Sequence, residues 1–461
     1  MLCLDKKPRV VVWIVLFLAL RPAGATAAME PAGVKVWIED YQGPATLGVR
    51  SVGRYGLEID FDPNTEGQGV VIRVDLPVSG RGAWPAADVE VLDSEGQPVP
   101  VRRPGIEWHK LRITVAPEPE TFVVHVVEGK RRPIRPEKER HATDPETGFG
   151  ATICPWHDGR RAALSLRFDD SHPTHLSTAV PILDEYGFRG TFMVNPGSSE
   201  AGSASRRRSA FQAHLAAWEA VARRGDHEFA NHTLDHQGAR NDAEMDYQIG
   251  RASDVIWELF PNKGRLIALN LGGGTWWTTT KTLRFYLDKH HLFDASSGSC
   301  GMDDVYGNRV SEFRRLLERH LEGGGWFRAH YHSIGEGLGS SEANFRAALE
   351  VAKAHESDLW IAGMADIHKY QTERLGAALA MEKRGPGRID LQLSCGTDAE
   401  LYDQPLTIEV RLPRSWPPGR VAVENAQKEA IPIRRQGNGG DAVLRFDVAP
   451  RDALYSLFVT R

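Results

Sequence analysis

Between Val34 and Gly129, short apolar runs alternate with polar positions, and glycine and proline punctuate the gaps. Val34–Ile38, Val70–Val74 and Phe122–Val127 are the clearest runs, and their period of two predicts strands. No amphipathic helical stretch intervenes, so this part reads as an all-β domain of sandwich type. Lys130 to Pro145 is charged and proline-bearing, and reads as a linker.

From Ala162 the period lengthens and the grammar becomes strand followed by helix. Ala163–Phe168, Gly190–Val194, Leu266–Ala268, Trp326–Arg328 and Asp358–Ile361 read as strands. Helical spacing predicts helices over Thr174–Tyr186 (with a kink at Pro181), Ala210–Arg224, Ala243–Phe260, Thr279–Lys289, Ser311–Leu321 and Ser341–His355. Such alternation predicts parallel strands with helical crossovers, and the number of units favours a barrel over an open sheet. After Arg374 the period of two returns in Ile389–Leu393, Leu406–Val410 and Val443–Phe446, a second and smaller β domain.

The ends and the composition narrow the setting. Lys6, Lys7 and Arg9 precede the apolar run Val10–Leu20, and Ala25-Thr26-Ala27 offers a small-residue cleavage pattern. That run is short for a membrane span, so residues 1–28 are expected to be a signal peptide and the mature chain to be secreted or periplasmic, without a membrane span. The expected division is 29–145 (β domain plus linker), 146–375 (α/β barrel) and 376–461 (β domain). A formal charge of −5 over 461 residues argues against nucleic acid as a partner. Cys154, Cys300 and Cys395 remain after the signal region, leaving one disulfide or three free thiols.

Two polar clusters carry the chemistry. Asp169-Asp170 ends the strand Ala163–Phe168, and His232-Thr233-Leu234-Asp235-His236 follows the weaker strand candidate at Glu228–Asn231. Either alone is commonplace, but together they offer one carboxylate and two imidazoles for a hydrolytic metal, expected to be Zn²⁺. Asp170, His232 and His236 would ligate, leaving Asp169 as a general base. Adjacent Asp residues point oppositely along a strand, so both can serve one site only where the strand gives way to a loop. The metalloprotease His-Glu-x-x-His pattern fails because Thr233 stands where Glu is needed.

The segment Ala162–Asp170 resembles the first motif of the polysaccharide deacetylases, the NodB-homology carbohydrate esterases of family 4. His232–His236 is similar to their His-[Ser/Thr]-x-x-His motif, and Pro181–Gly187 with Gly190-Thr191-Phe192 resembles the stretch between. The resemblance covers about Ala151 to Arg374. It implies a distorted (β/α) barrel, here flanked by two β-sandwich-like domains, that removes acetyl groups from a polysaccharide or an amino-sugar oligomer. It also implies that Asp169 is the base, that Asp170, His232 and His236 hold the metal, and that Thr233 braces their loop.

Of His330 and His332, the resemblance favours His332 as the acid, since Ser333-Ile334-Gly335 follows it. The third motif departs from the family. Leu269–Trp276 lacks its Arg and Pro, leaving Gly273, Gly274 and Trp276 as an oxyanion or substrate loop and leaving open what orients Asp169. No fourth motif is identified at Asp294 or Asp303-Asp304. Trp156, Trp276, Trp277 and Tyr331 are candidates for a sugar groove. Two other readings remain: a decayed, carbohydrate-binding scaffold, and a hydrolase of a non-acetyl amide.

Overall fold

A computed structural model describes residues 33–39, 45–63, 69–80, 82–129, 134–197, 210–259, 264–335, 339–436 and 443–460. The proposed signal peptide lies outside these residues. The chain divides into two compact units. One runs through Arg103 and takes in Trp108–Val127 and Thr278–Leu283, and the other comprises Pro104–Glu107, Glu128–Trp277 and Arg284–Arg461.

In the first unit, Thr46–Ser51, Gly56–Asp62, Glu120–Val126 and Val89–Leu92 pair antiparallel in one sheet. Lys35–Glu39, Val70–Asp75, Lys110–Val115 and Val101–Pro104 pair antiparallel in a second. Alternate residues of both, among them Leu57, Ile59, Ile72, Val91, Ile113 and Val124, form one shared core. The period of two therefore has its physical cause in one buried face per strand.

The second unit is built on eight parallel strands: β1 (Ala162–Phe168), β2 (Gly190–Val194), β3 (Glu228–Asn231), β4 (Ile267–Leu269), β5 (Leu292–Asp294), β6 (Cys300–Gly301), β7 (Trp326–Tyr331) and β8 (Leu359–Ile361). Their order is β5-β4-β3-β2-β1-β7-β6, with β8 also on β1. β8 pairs with Ala162–Leu164 while β2 pairs with Leu166–Phe168, so the two share one side of β1. Among the described residues β5 and β6 do not pair, so the sheet curls into an open half-barrel.

Every residue of β1 is buried, as a strand covered on both faces requires. Phe168 stacks on Phe192 and Tyr331 at centroid distances of 5.1 and 5.4 Å, an aromatic layer near the carboxyl ends of the strands. Helices α1 (Val180–Tyr186), α2 (Leu215–Arg224), α3 (Asp242–Leu259), α4 (Leu283–Lys289), α5 (Arg309–Gly323), α6 (Glu342–Lys353) and α7 (Met364–Gly376) complete the unit. No helix of the described residues is long and apolar enough to cross a membrane.

Some elements depart from the sequence reading. The helix expected over 279–289 is confined to α4, and Trp276–Thr279 is a strand rather than a loop. His175–Ala179 is a π-helical turn leading into α1, which accommodates Pro181 in its first turn without a break. The span 137–153, read as linker and barrel entry, carries a short helix and the strands His141–Asp144 and Phe149–Ile153. Phe149–Ile153 pairs with Leu406–Arg411, deep in the C-terminal part. There, two antiparallel sheets share a core that includes Trp156, Ile367 and Tyr370, so the C-terminal strands and the barrel bury one another's apolar surface. Among the described residues Cys154, Cys300 and Cys395 are free thiols.

Candidate metal centre and its flanking acid and base

The first loop leaves β1 by an unusual route. Asp169 still donates its backbone N–H to Tyr331 O at 2.9 Å. Asp170 and Ser171 then take φ of 76° and 50°, conformations that side chains other than glycine rarely adopt. This turn ends strand alternation and lets Asp169 and Asp170 serve the same space. Such residues cost about 1–3 kcal/mol each, and persist because neighbours hold them. Here the Asn195 N–H donates to Ser171 Oγ at 2.8 Å.

The second loop is braced in the same manner. Thr233 and His236 have φ of 66° and 60°. Asn231 Oδ1 accepts the Thr233 N–H at 2.7 Å, and Thr233 Oγ1 accepts the His236 N–H at 3.1 Å. Asn195 Nδ2 donates to the Thr233 carbonyl at 3.0 Å, tying the two loops together.

As a result Asp170, His232 and His236 each present one ligand atom, all within 4.8 Å of one another. Asp170 Oδ1 is 3.2 Å from His232 Nε2 and 3.7 Å from His236 Nε2. His232 Nδ1 lies 2.9 Å from the Asn270 carbonyl, which can only accept, so its proton sits on Nδ1. His232 is thereby oriented with Nε2 toward the buried Asp170 Oδ1. One carboxylate with two imidazoles suits a divalent metal that keeps an open position.

Asp169, only 3% exposed, takes no part in that cluster. Arg167 donates to it through Nε at 2.8 Å and Nη2 at 2.7 Å, and Asn270 Nδ2 adds a third bond at 3.1 Å. Burial works against the charged carboxylate, but the Arg167 charge and its bonds outweigh burial and hold the pKa at about 2. This answers what replaces the missing third-motif Arg. The donor comes from the same strand, two residues upstream and hence on the same face. The sequence carried that signal in Arg167 itself.

His332 is anchored by a residue that the sequence reading passed over. Asp303, 3% exposed, accepts from His332 Nδ1 at 2.5 Å and from its backbone N–H at 3.1 Å. The Asp303 bond raises the His332 pKa to about 9 despite partial burial. Burial and the nearby Arg167 push His330 the other way, to about 4, and its Nδ1 is buried without a partner. Buried His175 meets the His332 carbonyl through Nε2.

Gly273 and Gly274 are exposed and Trp276 is half-buried. Gly272, at φ +83°, packs against the metal cluster: a Cβ there would lie 2.4 Å from His236 Nε2. Three of the four aromatics read as groove candidates are core instead. Trp277 donates to Thr275 Oγ1, Tyr331 stacks on Phe168, and Trp156 donates to the Gly324 carbonyl beside the C-terminal sheets. Each buries its ring because the surrounding packing is apolar, the commoner fate of aromatics.

Residues 157–286 match the family model described as polysaccharide deacetylase. The matched span holds Asp169, Asp170, His232 and His236 and ends before Asp303 and His332.

Among curated proteins, a gellan lyase from Bacillus sp. is 20% identical over 307 residues, covering 59% of this chain and 12% of that protein. The chain thus aligns with only a small part of that relative's length. Among solved structures, the peptidoglycan deacetylase PdaC from Bacillus subtilis is 16% identical, covering 46% of this chain and 93% of that one, at a TM-score of 0.32. A family 4 carbohydrate esterase from Streptomyces lividans in complex with acetate is 17% identical, with coverages of 45% and 95% and a TM-score of 0.30. A family 4 pseudoenzyme from Bacillus anthracis is 13% identical, with coverages of 46% and 66% and a TM-score of 0.31.

Proposed function

We propose that this protein is an exported, metal-dependent deacetylase that hydrolyses acetyl groups on a polysaccharide or amino-sugar oligomer. The observation that carries the reading is the convergence of one ligand atom each from Asp170, His232 and His236 within 4.8 Å, with an anchored base and an anchored acid nearby. Asp170, His232 and His236 would hold a divalent ion, with Zn²⁺ the expected one, which would supply Lewis-acid chemistry to the acetyl carbonyl and to water.

The remaining chemistry falls to the chain's own groups. Asp169, kept ionised by Arg167 and Asn270, accepts a proton from the attacking water. His332, kept protonated by Asp303, returns one to the departing nitrogen or oxygen. His330, held neutral at pH 7, is unsuited to that donation. Backbone N–H groups at Gly273 and Gly274 are the candidate donors to the developing oxyanion.

The test is acetate release from acetylated chitooligosaccharide, xylan and peptidoglycan, with and without chelator. Release that stops with chelator and returns with metal supports the reading. Stoichiometric metal without release from any substrate favours the non-catalytic, glycan-binding alternative.

A further inference from the structure

The acid His332 sits in a segment whose backbone is bonded from several sides. Tyr331 O accepts the Asp169 N–H at 2.9 Å, and the His332 N–H donates to Asp303 Oδ1 at 3.1 Å. The Ser333 carbonyl accepts the Ser340 N–H at 3.0 Å. Two further bonds come from the start of the π-helical turn His175–Ala179. Thr174 Oγ1 accepts the Ile334 N–H at 3.0 Å, and His175 Nε2 donates to the His332 carbonyl. Such turns break the regular register of a helix and are frequent at functional sites. Asp303 thus holds one end of the acid residue and His175 the other.

His175 is fully buried, and its ring is caged by Phe168, Phe192 and Trp218 at centroid distances of 5.6, 5.7 and 6.4 Å. Burial keeps it neutral, with a pKa pushed down to about 4. A carbonyl can only accept, so the one ring proton sits on Nε2 and Nδ1 carries a lone pair. That Nδ1 is buried without a hydrogen-bond partner. An orphaned acceptor in a core works against folding. Phenylalanine would fill the same aromatic cage without one. What phenylalanine lacks is the N–H that the His332 carbonyl receives.

We infer that His175 is a positioning residue for the acid, fixing the His332 carbonyl so that the His332 imidazole stays on Asp303 and turned toward the leaving group. This rests on the deacetylase reading and adds a part to the same site. Because Asp303 engages His332 Nδ1, the proton given up is the one on Nε2. As the acetyl C–N bond breaks, that proton goes to the departing nitrogen. An amine departs only with such a proton, whereas 4-nitrophenolate departs without one. Loosening His332 therefore slows cleavage of an amide and spares an activated ester.

The experiment compares the wild type with His175→Phe, His175→Gln and Thr174→Val on an acetylated chitotetraose and on 4-nitrophenyl acetate. His175→Phe should keep its metal and KM, lose about 10–100-fold in kcat on the tetramer, and keep most of the chelator-sensitive ester hydrolysis. His175→Gln puts a donor near the lost Nε2 and should recover a large part of that kcat. An equal loss on both substrates, or an unchanged kcat in His175→Phe, would overturn the assignment. Should His175→Phe not fold, Thr174→Val carries the test. It removes the acceptor of the Ile334 N–H and should show the same split between substrates, smaller in size, and no split would overturn the inference. A second readout needs no turnover. The proton between His332 Nδ1 and Asp303, 2.5 Å apart, should give a low-field nuclear magnetic resonance signal that is absent in Asp303→Asn. That signal should broaden or vanish in His175→Phe and return in His175→Gln. If the wild type releases no acetate from either substrate, the deacetylase reading fails and the signal alone decides. Its loss in His175→Phe supports the positioning role, and its persistence there, or its absence from the wild type, overturns it.

Discussion

Replacing Arg167 by Met is the most demanding perturbation of this site, because it leaves the Asp169 carboxylate buried without its main partner. Both side chains are only 4% exposed. The substitution removes two charge-assisted bonds of 2.8 and 2.7 Å and leaves one, from Asn270 at 3.1 Å. Breaking one half of a buried pair costs about 3–5 kcal/mol. Asp169 is held at about 2 against an ordinary 3.8, and at about 1.4 kcal/mol per unit that depression contributes about 2–3 kcal/mol. Since the folded value is the lower one, this stability is fully present above the ordinary value and is lost as pH falls through about 2.

Arg167→Met should therefore destabilise the chelator-treated protein by about 3 kcal/mol at pH 7 in urea unfolding. Asp169→Asn removes the charge that Arg167 serves, so the double variant should lose clearly less than the sum of the two single ones. The same Arg167→Met protein should lose acetate release, since its Asp169 is no longer held ionised in place. Additivity of the two substitutions to within about 0.5 kcal/mol would refute the coupling and with it the assignment of Arg167 as the residue that orients the base.

Gly272→Ala adds a Cβ 2.4 Å from His236 Nε2 at a φ of +83°, so it should weaken metal affinity roughly 10–100-fold, read by competition with a chromophoric chelator. His332 must be protonated to donate, so activity should fall as pH rises through about 9. Asp303→Asn removes the bond that raises this value and should move the falling limb of the pH–rate profile to lower pH. Ending the chain after Gly376 strips the partners of Trp156, Ile367 and Tyr370, so the remainder should lose cooperative unfolding as followed by circular dichroism.

The barrel strands and the convergence of Asp170, His232 and His236 were legible because each has a strong local cause. Ala162–Phe168 is an uninterrupted buried run, and Asp169-Asp170 with His232–His236 are residue types that seldom converge by chance. The turn after β1 was also foreseeable, since adjacent carboxylates cannot share a site within a regular strand. What escaped was fixed by pairing at a distance. β5 and β6 have only three and two residues and gain their identity from β4 and β7 rather than from periodicity. Phe149–Ile153 looked like barrel entry because its partner, Leu406–Arg411, lies far along the chain. Asp303 looked like one of several loop acids until β7 brought His332 against it. Trp156 and Trp277 were read as groove residues because a sequence shows an aromatic's position, not what is packed around it.

The measurement that bears most directly on the account is divalent metal content per chain, by mass spectrometry, for the wild type and for His232→Ala. The account predicts about one ion per chain in the wild type and almost none in His232→Ala, with the fold retained. Equal metal in both proteins, or none in either after growth and dialysis with added zinc, would contradict it.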